Sequence, residues 1–443
     1  MAQNFIACDR EQVLLLPPDL RDWLPAGHLA RFVIETVEQL DLAGIYAYYR
    51  QDGRGRPAHD PAMMVTLLLY AYAIGITSSR AIERRCVDDV ACRVISANER
   101  PDHSTIARFL VRHRDQLQGL FLEVLELCRQ AGMVRVGTVA VDSTKLAANA
   151  SAARNLTLEG LEEEAARIIE EAIVTDRQED ELYGDRRGDE LPDELADPAT
   201  RKARIRELLE QARRERAAAD VERERQLAEH QEHFERTGKR KRGRQPQPEI
   251  KKPRQQKLLS KKYNVTDPDS GLVRARTGFM QGYSMQTVVS EDQIILAATA
   301  VGANPDQGQL APSVHAAVQN LQQIQSTELI GEVLADSGYW SGRQIRELTA
   351  DGYQVLVPPN LRSNKPGGGA LEAERMLIQL QTDDGKRRYE RRQHIIEPVF
   401  GQIKHNRGIY RLLRRGQAAV QTEIALIATT HNLLKLRTAL ATG

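Results

Sequence analysis

Residues 136–142 read Val-Gly-Thr-Val-Ala-Val-Asp, an uncharged and largely β-branched run that ends on a carboxylate. So short an apolar run predicts a strand buried on both faces, stopping at Asp142. A second run of the same kind, Gly331–Ala335, ends at Asp336. Between the two, Tyr263–Asp267 leads through the turn signal Pro268-Asp269-Ser270-Gly271 into Leu272–Arg276. Tyr283–Val289 and Ile294–Val301 then read as strands, with Ser290-Glu291-Asp292 turning between them, and a helix is expected from about Asp306 to Gln325. After Asp336 come a helix over 342–350, a strand over 353–357, a glycine-rich loop at 367–369 and a long basic helix that holds Glu397. Leaving out residues 155–262, the order is strand, antiparallel strands, helix, strand, helix, strand, helix. This is an α/β (α+β) pattern: a mixed sheet flanked by helices. With the first and fourth strands as neighbours, Asp142 and Asp336 meet at one edge, and the last helix brings Glu397 over them.

Upstream, residues 1–135 read as an all-α domain. Asp60-Pro61 is a helix start, with Asp as N-cap and Pro in the first turn, and Met64, Leu67, Leu68 and Ala71 follow at helical spacing. A second helix is expected from Ser79 to Ile95 and a third from Ser104 or Thr105 to just before Gly132, across the turn Ala97-Asn98-Glu99-Arg100-Pro101. Two helices across a short turn suggest a helix-turn-helix-like module, with Arg84, Arg108 and Arg112 as candidates to reach DNA.

Residues 155–262 are a polar insertion after the first strand. Residues 159–197 hold sixteen acidic against four basic side chains, and 200–235 read as a solvent-exposed helix or a weak coiled coil with polar i,i+4 neighbours. Residues 236–262 carry twelve basic side chains and one acid, Glu249, so this basic linker reads as a segment that lies along phosphates through Lys239, Arg240, Lys241 and Arg242. The expected division is a helical DNA-binding domain at 1–135, the first catalytic strand at 136–154, the charged insertion at 155–262 and the rest of the catalytic domain at 263–443.

Composition narrows the function from the other side. The 62 basic and 61 acidic side chains leave a net charge of +1, which excludes a chain held to DNA by net charge alone but not one with segregated charge. The apolar run Met63–Ile76 spans 14 residues, too short for a membrane helix, which needs ~20. Four cysteines, Cys8, Cys86, Cys92 and Cys128, form neither a metal spacing nor a disulfide framework, which fits a reducing cytoplasm.

Three converging carboxylates without cysteine or histidine make an all-oxygen site, suited to Mg²⁺ or Mn²⁺ rather than zinc. Two such ions ~4 Å apart activate a water or hydroxyl and stabilise the leaving oxygen in an in-line attack on phosphorus. Of the nearby acids, Asp306 is an alternative, while Asp267 in its Thr-Asp-Pro-Asp-Ser turn reads as structural.

The acids stand in motifs that resemble the DDE transposases of bacterial insertion sequences. These are Val141-Asp142-Ser143-Thr144-Lys145-Leu146-Ala147-Ala148-Asn149-Ala150, Ala335-Asp336-Ser337-Gly338-Tyr339 and Ile396-Glu397-Pro398-Val399-Phe400-Gly401-Gln402-Ile403-Lys404. Arg100-Pro101-Asp102-His103-Ser104-Thr105-Ile106-Ala107-Arg108-Phe109 resembles the helical domain that precedes the catalytic one in these enzymes. Tyr389, Arg392, Glu397 and Lys404 nearly reproduce a family pattern around the last acid, and the spacing of seven positions from Glu397 to Lys404 predicts one helical face. The resemblance spans about residues 10 to 435 and is weakest over 200–260. It implies a ribonuclease-H-like catalytic domain that binds terminal inverted repeats in double-stranded DNA, frees 3′-hydroxyls by metal-dependent hydrolysis and joins them to target DNA. It also implies two metal ions, with Asp142 bridging both and Asp336 and Glu397 each holding one, and a homo-oligomer that pairs two DNA ends. Lys404, Arg407 and Arg411, with Arg414 and Arg415, are expected to hold phosphates beside the site. The rival readings are a catalytically silent transposase-derived DNA-binding protein and a ribonuclease-H-like nuclease that cuts without joining.

Overall fold

In the computed structural model, which describes residues 19–49, 57–157, 160–163, 198–237, 262–275, 278–302, 306–360 and 370–442, the strand that begins after Gly137 does not stop at its first acid. Strand β1, Thr138–Ala147, runs five residues past Asp142. Two further strands, β2 (Asn155–Leu156) and β3 (Tyr263–Asn264), pair at the root of the insertion, and then come β4 (Gly271–Ala275), β5 (Gly278–Ser290) and β6 (Ile295–Val301). The last two strands are β7 (Glu332–Ala335) and β8 (Gln354–Leu356). β1 is long because β5 pairs with it antiparallel along its length, from Val139↔Ser290 to Ala147↔Gly282. On its other side the parallel partner β7 covers only Thr138↔Glu332 to Val141↔Ala335. The order is β6-β5-β1-β7-β8, with β4 beside the first half of β5. This mixed α+β arrangement is consistent with a ribonuclease-H-like fold. The expected strand at Tyr263–Asp267 is cut to two residues because the Asn264 side chain accepts hydrogen bonds from the backbone N–H groups of Thr266 and Asp267, which turns the chain.

The N-terminal part is helical, as expected: α1 (Leu29–Val37), α2 (Ala43–Tyr46), α3 (Pro61–Ala73), α4 (Ser79–Asp88), α5 (Val90–Ile95), α6 (His103–Arg112) and α7 (Arg114–Gln130). Asp60 caps α3 by accepting from the Met63 N–H at 2.9 Å. The single helix expected over 79–95 is two, because Asp89 adopts an extended conformation and caps Cys92 N–H. The helix expected to end before Gly132 is likewise interrupted at His113, which is buried against Phe109 and shares a hydrogen bond with Tyr49 Oη at 3.1 Å.

In the insertion, α8 (Pro198–Thr237) is a single charged helix whose Leu208 and Ala212 pack on Leu161 and Tyr263. The C-terminal half adds α9 (Leu310–Gln323), α10 (Gly342–Ala350), α11 (Ala370–Gln381), α12 (Asp383–Gly401), a π-helical turn at Gln402–Asn406 and α13 (Gln417–Thr442). Among the described residues no helix is long and apolar enough to cross a membrane.

One apolar core runs through both halves. The last helix, α13, packs on α3 and α7 of the N-terminal part and on β6 of the sheet. Gln118 Nε2 donates to Thr422 Oγ1 at 2.9 Å, and the Asn432 amide both accepts from Ile295 N–H and donates to its carbonyl. Helix α3 is apolar all round, as a helix enclosed on every side must be. It ends at Gly75, whose φ of +83° is left-handed and whose Cα lies against the Arg407 carbonyl.

Candidate active site

Because β1 and β7 are parallel and their pairing ends at Val141↔Ala335, the next residue on each strand is an aspartate. β7 stops there: Asp336 Oδ1 accepts from Gly338 N–H at 2.8 Å and caps a 3₁₀ turn over Ser337–Tyr339. Asp142 stays in its strand. Its Oδ1 accepts from Ser143 N–H at 2.7 Å, and its Oδ2 from Arg392 Nη1 of α12 at 2.8 Å. Burial pushes the Asp142 carboxyl up to about 6, the charge of Asp336 adds to the rise, and Ser143 N–H and Arg392 hold it back. Arg392 is itself mostly enclosed, 13% exposed, and lies over the Tyr389 ring at 5.8 Å. Helix α12 is moored further by Arg388 with Glu332 of β7 and Gln354 of β8, by Arg391 with Glu291 at 2.9 Å, and by Gln293 Nε2 donating to the His394 carbonyl at 3.0 Å.

The structure therefore unites Asp142, Asp336 and Arg392, but it does not gather Glu397 with them. Among the described residues no three carboxylates, histidines or cysteines converge as a metal-holding group. Ile395, Ile396 and Val399 are the buried residues at this point of α12, and Glu397 between them is exposed without a hydrogen bond among the described residues. Pro398 lies within the helix, a π-helical turn follows it, and Lys404 Nζ donates to the Lys145 carbonyl at 2.9 Å.

The expected phosphate contacts divide. Arg411 is exposed beside the end of β1, 3.4 Å from Asn149 Oδ1. Arg407 is not a surface residue: it is 6% exposed and donates to the Ile427 carbonyl and to Thr430 Oγ1 of α13, and burial pulls its pKa down to about 9. The chain has left the helix before Arg407, and α13 covers it. Arg84, Arg108 and Arg112 are exposed; Arg108 donates to the Ser104 carbonyl, and Arg112 lies over the Tyr48 ring at 4.8 Å. Lys239, Arg240, Lys241 and Arg242 lie outside the described residues. Asp267 is structural, fully buried, accepting from Tyr283 Oη at 2.8 Å and Gly416 N–H at 3.1 Å.

Sequence reading misses the polar layer behind Asp142. Ser143, Lys145, Ser284, Gln286, Asp306 and Tyr339 are joined by hydrogen bonds. Of its members, sequence reading singles out Asp306, as an alternative acid, and Ser143 and Lys145, through the motif around Asp142, but not their connection.

The paired aspartates suit a hard cation. Two carboxylates at one edge, with Arg392 bonded to one of them, make a site lined by oxygen. Mg²⁺ is commonly held by one or two carboxylates, with waters and substrate phosphates completing the shell.

Comparison with protein families matches residues 18–112 to the transposase domain DUF772 and residues 370–437 to a transposase DDE domain. The first match covers α1 to α6; the second covers α11, α12 and most of α13, with Arg392, Glu397 and Lys404. Asp142 and Asp336 lie between the two. No curated protein and no solved structure matches the chain.

Proposed function

We propose that this chain, which matches a transposase domain at one end and a transposase DDE domain at the other, is a DNA transposase of the insertion-sequence type, and that Asp142 and Asp336 form its reactive centre for cutting and joining DNA strands. The observation that carries this reading is the pairing of the two acids at the shared end of β1 and β7, with Arg392 bonded to Asp142. Asp142 and Asp336 would hold Mg²⁺ or Mn²⁺, as two ions in keeping with the family, and Glu397 would join them from the exposed side of α12. The bound cations would supply charge neutralisation at the phosphate and a more acidic attacking water or 3′-hydroxyl. Ser143 N–H and Arg392 fix both oxygens of Asp142, so the carboxylate is oriented before any substrate arrives. Lys404 is pinned to β1, and the exposed Arg411, Arg84, Arg108 and Arg112 are the candidates for contacts to double-stranded DNA, with Lys239, Arg240, Lys241 and Arg242 of the basic linker. Arg407 is excluded from that set by its burial. Joining two element ends requires at least two active sites, so the working form is a homo-oligomer, and a cytoplasmic location follows from the DNA substrate.

The full chain, incubated with Mg²⁺ and duplexes carrying the inverted repeats that flank its coding region, is expected to release 3′-hydroxyl ends and to join them to a target plasmid. Cleavage without joined products would leave the nuclease reading, and neither product with intact sequence-specific binding would leave the silent DNA-binding reading.

A pH profile tests the centre itself. Asp142 binds its proton more tightly than an ordinary aspartate, so its charge is lost as the pH falls through about 6. Cleavage at low Mg²⁺ should fall with that midpoint, and raising Mg²⁺ should move the midpoint to lower pH, since cation and proton compete for one carboxylate. A midpoint indifferent to Mg²⁺ would remove Asp142 from the cation site.

A further inference from the structure

Neighbouring residues of a strand point to opposite faces, so Ser143 and Lys145 stand behind Asp142 on the far side of the sheet. Their partners across β5 are Gln286 and Ser284, which makes a polar quartet of two cross-strand pairs. Lys145 Nζ donates to Ser143 Oγ at 2.9 Å, to Ser284 Oγ at 2.7 Å and to Asp306 Oδ1 at 2.8 Å, so all three ammonium hydrogens are used. Asp306 Oδ1 also accepts from Ser143 Oγ at 2.7 Å and from Gln286 Nε2 at 2.9 Å. The other end of Gln286 accepts from Tyr339 Oη, and Tyr339 closes the turn that Asp336 caps.

One oxygen of Asp306 is thus the node of a network that reaches the residue after Asp142 and the residue three after Asp336. Its other oxygen makes no hydrogen bond among the described residues. A Cβ added at Gly338 would lie 2.9 Å from Asp336 Oδ1 and 3.7 Å from Asp306 Oδ2, so the two carboxylates flank the bare backbone of that glycine. Burial pushes the Asp306 carboxyl upward, but the bonds from Lys145, Ser143 and Gln286 outweigh it and keep the group below the usual aspartate value.

We propose that Asp306 is a positioning residue for the acid pair: it clamps β1, β5 and the turn after β7 from behind, and so fixes the spacing of Asp142 and Asp336 to which a divalent cation binds. The proposal rests on the assignment of those two acids as the cation site. A polar network joined through one shared oxygen holds its members in register, and outer partners of metal-ligating groups typically change metal affinity by 10–100-fold when removed. Asp306→Asn keeps the size of the side chain but removes the counter-charge of Lys145.

The test is direct binding of Mn²⁺ to the full chain without DNA, read by electron paramagnetic resonance, alongside a thermal melt of each variant. Wild type should bind, Asp142→Asn should abolish binding, and Asp306→Asn should weaken it about tenfold or more while remaining folded. An Asp306→Asn protein with wild-type Mn²⁺ affinity overturns the proposal and leaves the Asp142 assignment standing, even if its melting temperature falls. If wild type binds no Mn²⁺, the cation site itself is wrong and the proposal goes with it. Should Asp306→Asn not fold, Lys145→Gln removes the same ion pair and must show the same weakening; unchanged affinity there overturns the proposal equally.

Discussion

Asp142→Asn and Asp336→Asn should each give a folded protein that binds DNA and no longer cuts it, with cleavage reduced by at least about 10²–10³-fold, the loss expected when one preorganised electrostatic contact is removed. The amide is nearly the same shape as the carboxylate, and its oxygen at position 142 can still accept the Arg392 hydrogen bond that the wild type makes at 2.8 Å. What is lost is the anionic charge that draws the cation. The two variants should behave alike, because the acids sit at matching positions on adjacent parallel strands. Strand cleavage at the wild-type rate by either variant would refute the assignment. Stability should respond too. The raised pKa of Asp142 means that the folded state holds the proton more tightly than the unfolded chain, so ionising this group costs stability as the pH rises from about 4 through about 6. The amide of Asp142→Asn does not ionise, so the melting temperature of that variant should fall less than that of wild type across this window.

Gly75→Ala is expected to be among the most damaging single changes outside the acid pair. The φ of +83° at Gly75 costs an L-residue about 1–2 kcal/mol. A Cβ there would also stand 1.9 Å from the Arg407 carbonyl oxygen, a contact only backbone movement can relieve. Overpacking of this kind adds roughly 1–3 kcal/mol, so a total of about 2–5 kcal/mol is expected. The strain falls where the end of α3 meets the Arg407 segment, so both halves of the chain should loosen together. A urea or thermal melt of the variant should show one transition at a lower midpoint; an unshifted midpoint would mean that this seam yields freely.

The acids at the strand ends are legible in the sequence because their signals are local. Gly331–Ala335 stops at Asp336 as read, since the turn chemistry that ends the strand lies in the next three residues. Asp142 is found the same way, but β1 reads too short, because its length is set by pairing with β5, more than 130 residues away. The break at Asp89 carries a readable capping signal that the helical run on either side obscures. Arg407 misleads for a different reason. A row of basic residues looks like a solvated face until the packing of α13 is known, and no local pattern announces a buried arginine satisfied by the Ile427 carbonyl and Thr430. The layer around Asp306 is out of reach in the same way: its members meet only through the register of β1 with β5 and the turn after β7.

The way α13 closes the core has a consequence for how the molecule is made. Helices α3 and α7 leave the ribosome well before α13, the helix they pack against. Until Gln417 and the residues after it emerge, Leu67, Leu68 and the other apolar side chains of α3 lack their final cover, and Gln118 waits for Thr422 across 304 positions of sequence. Contacts so distant in sequence form late and leave apolar surface open meanwhile. A polypeptide terminated before α13 would therefore be a target for proteases rather than a folded N-terminal half. Closure of this core waits on the emergence of α13.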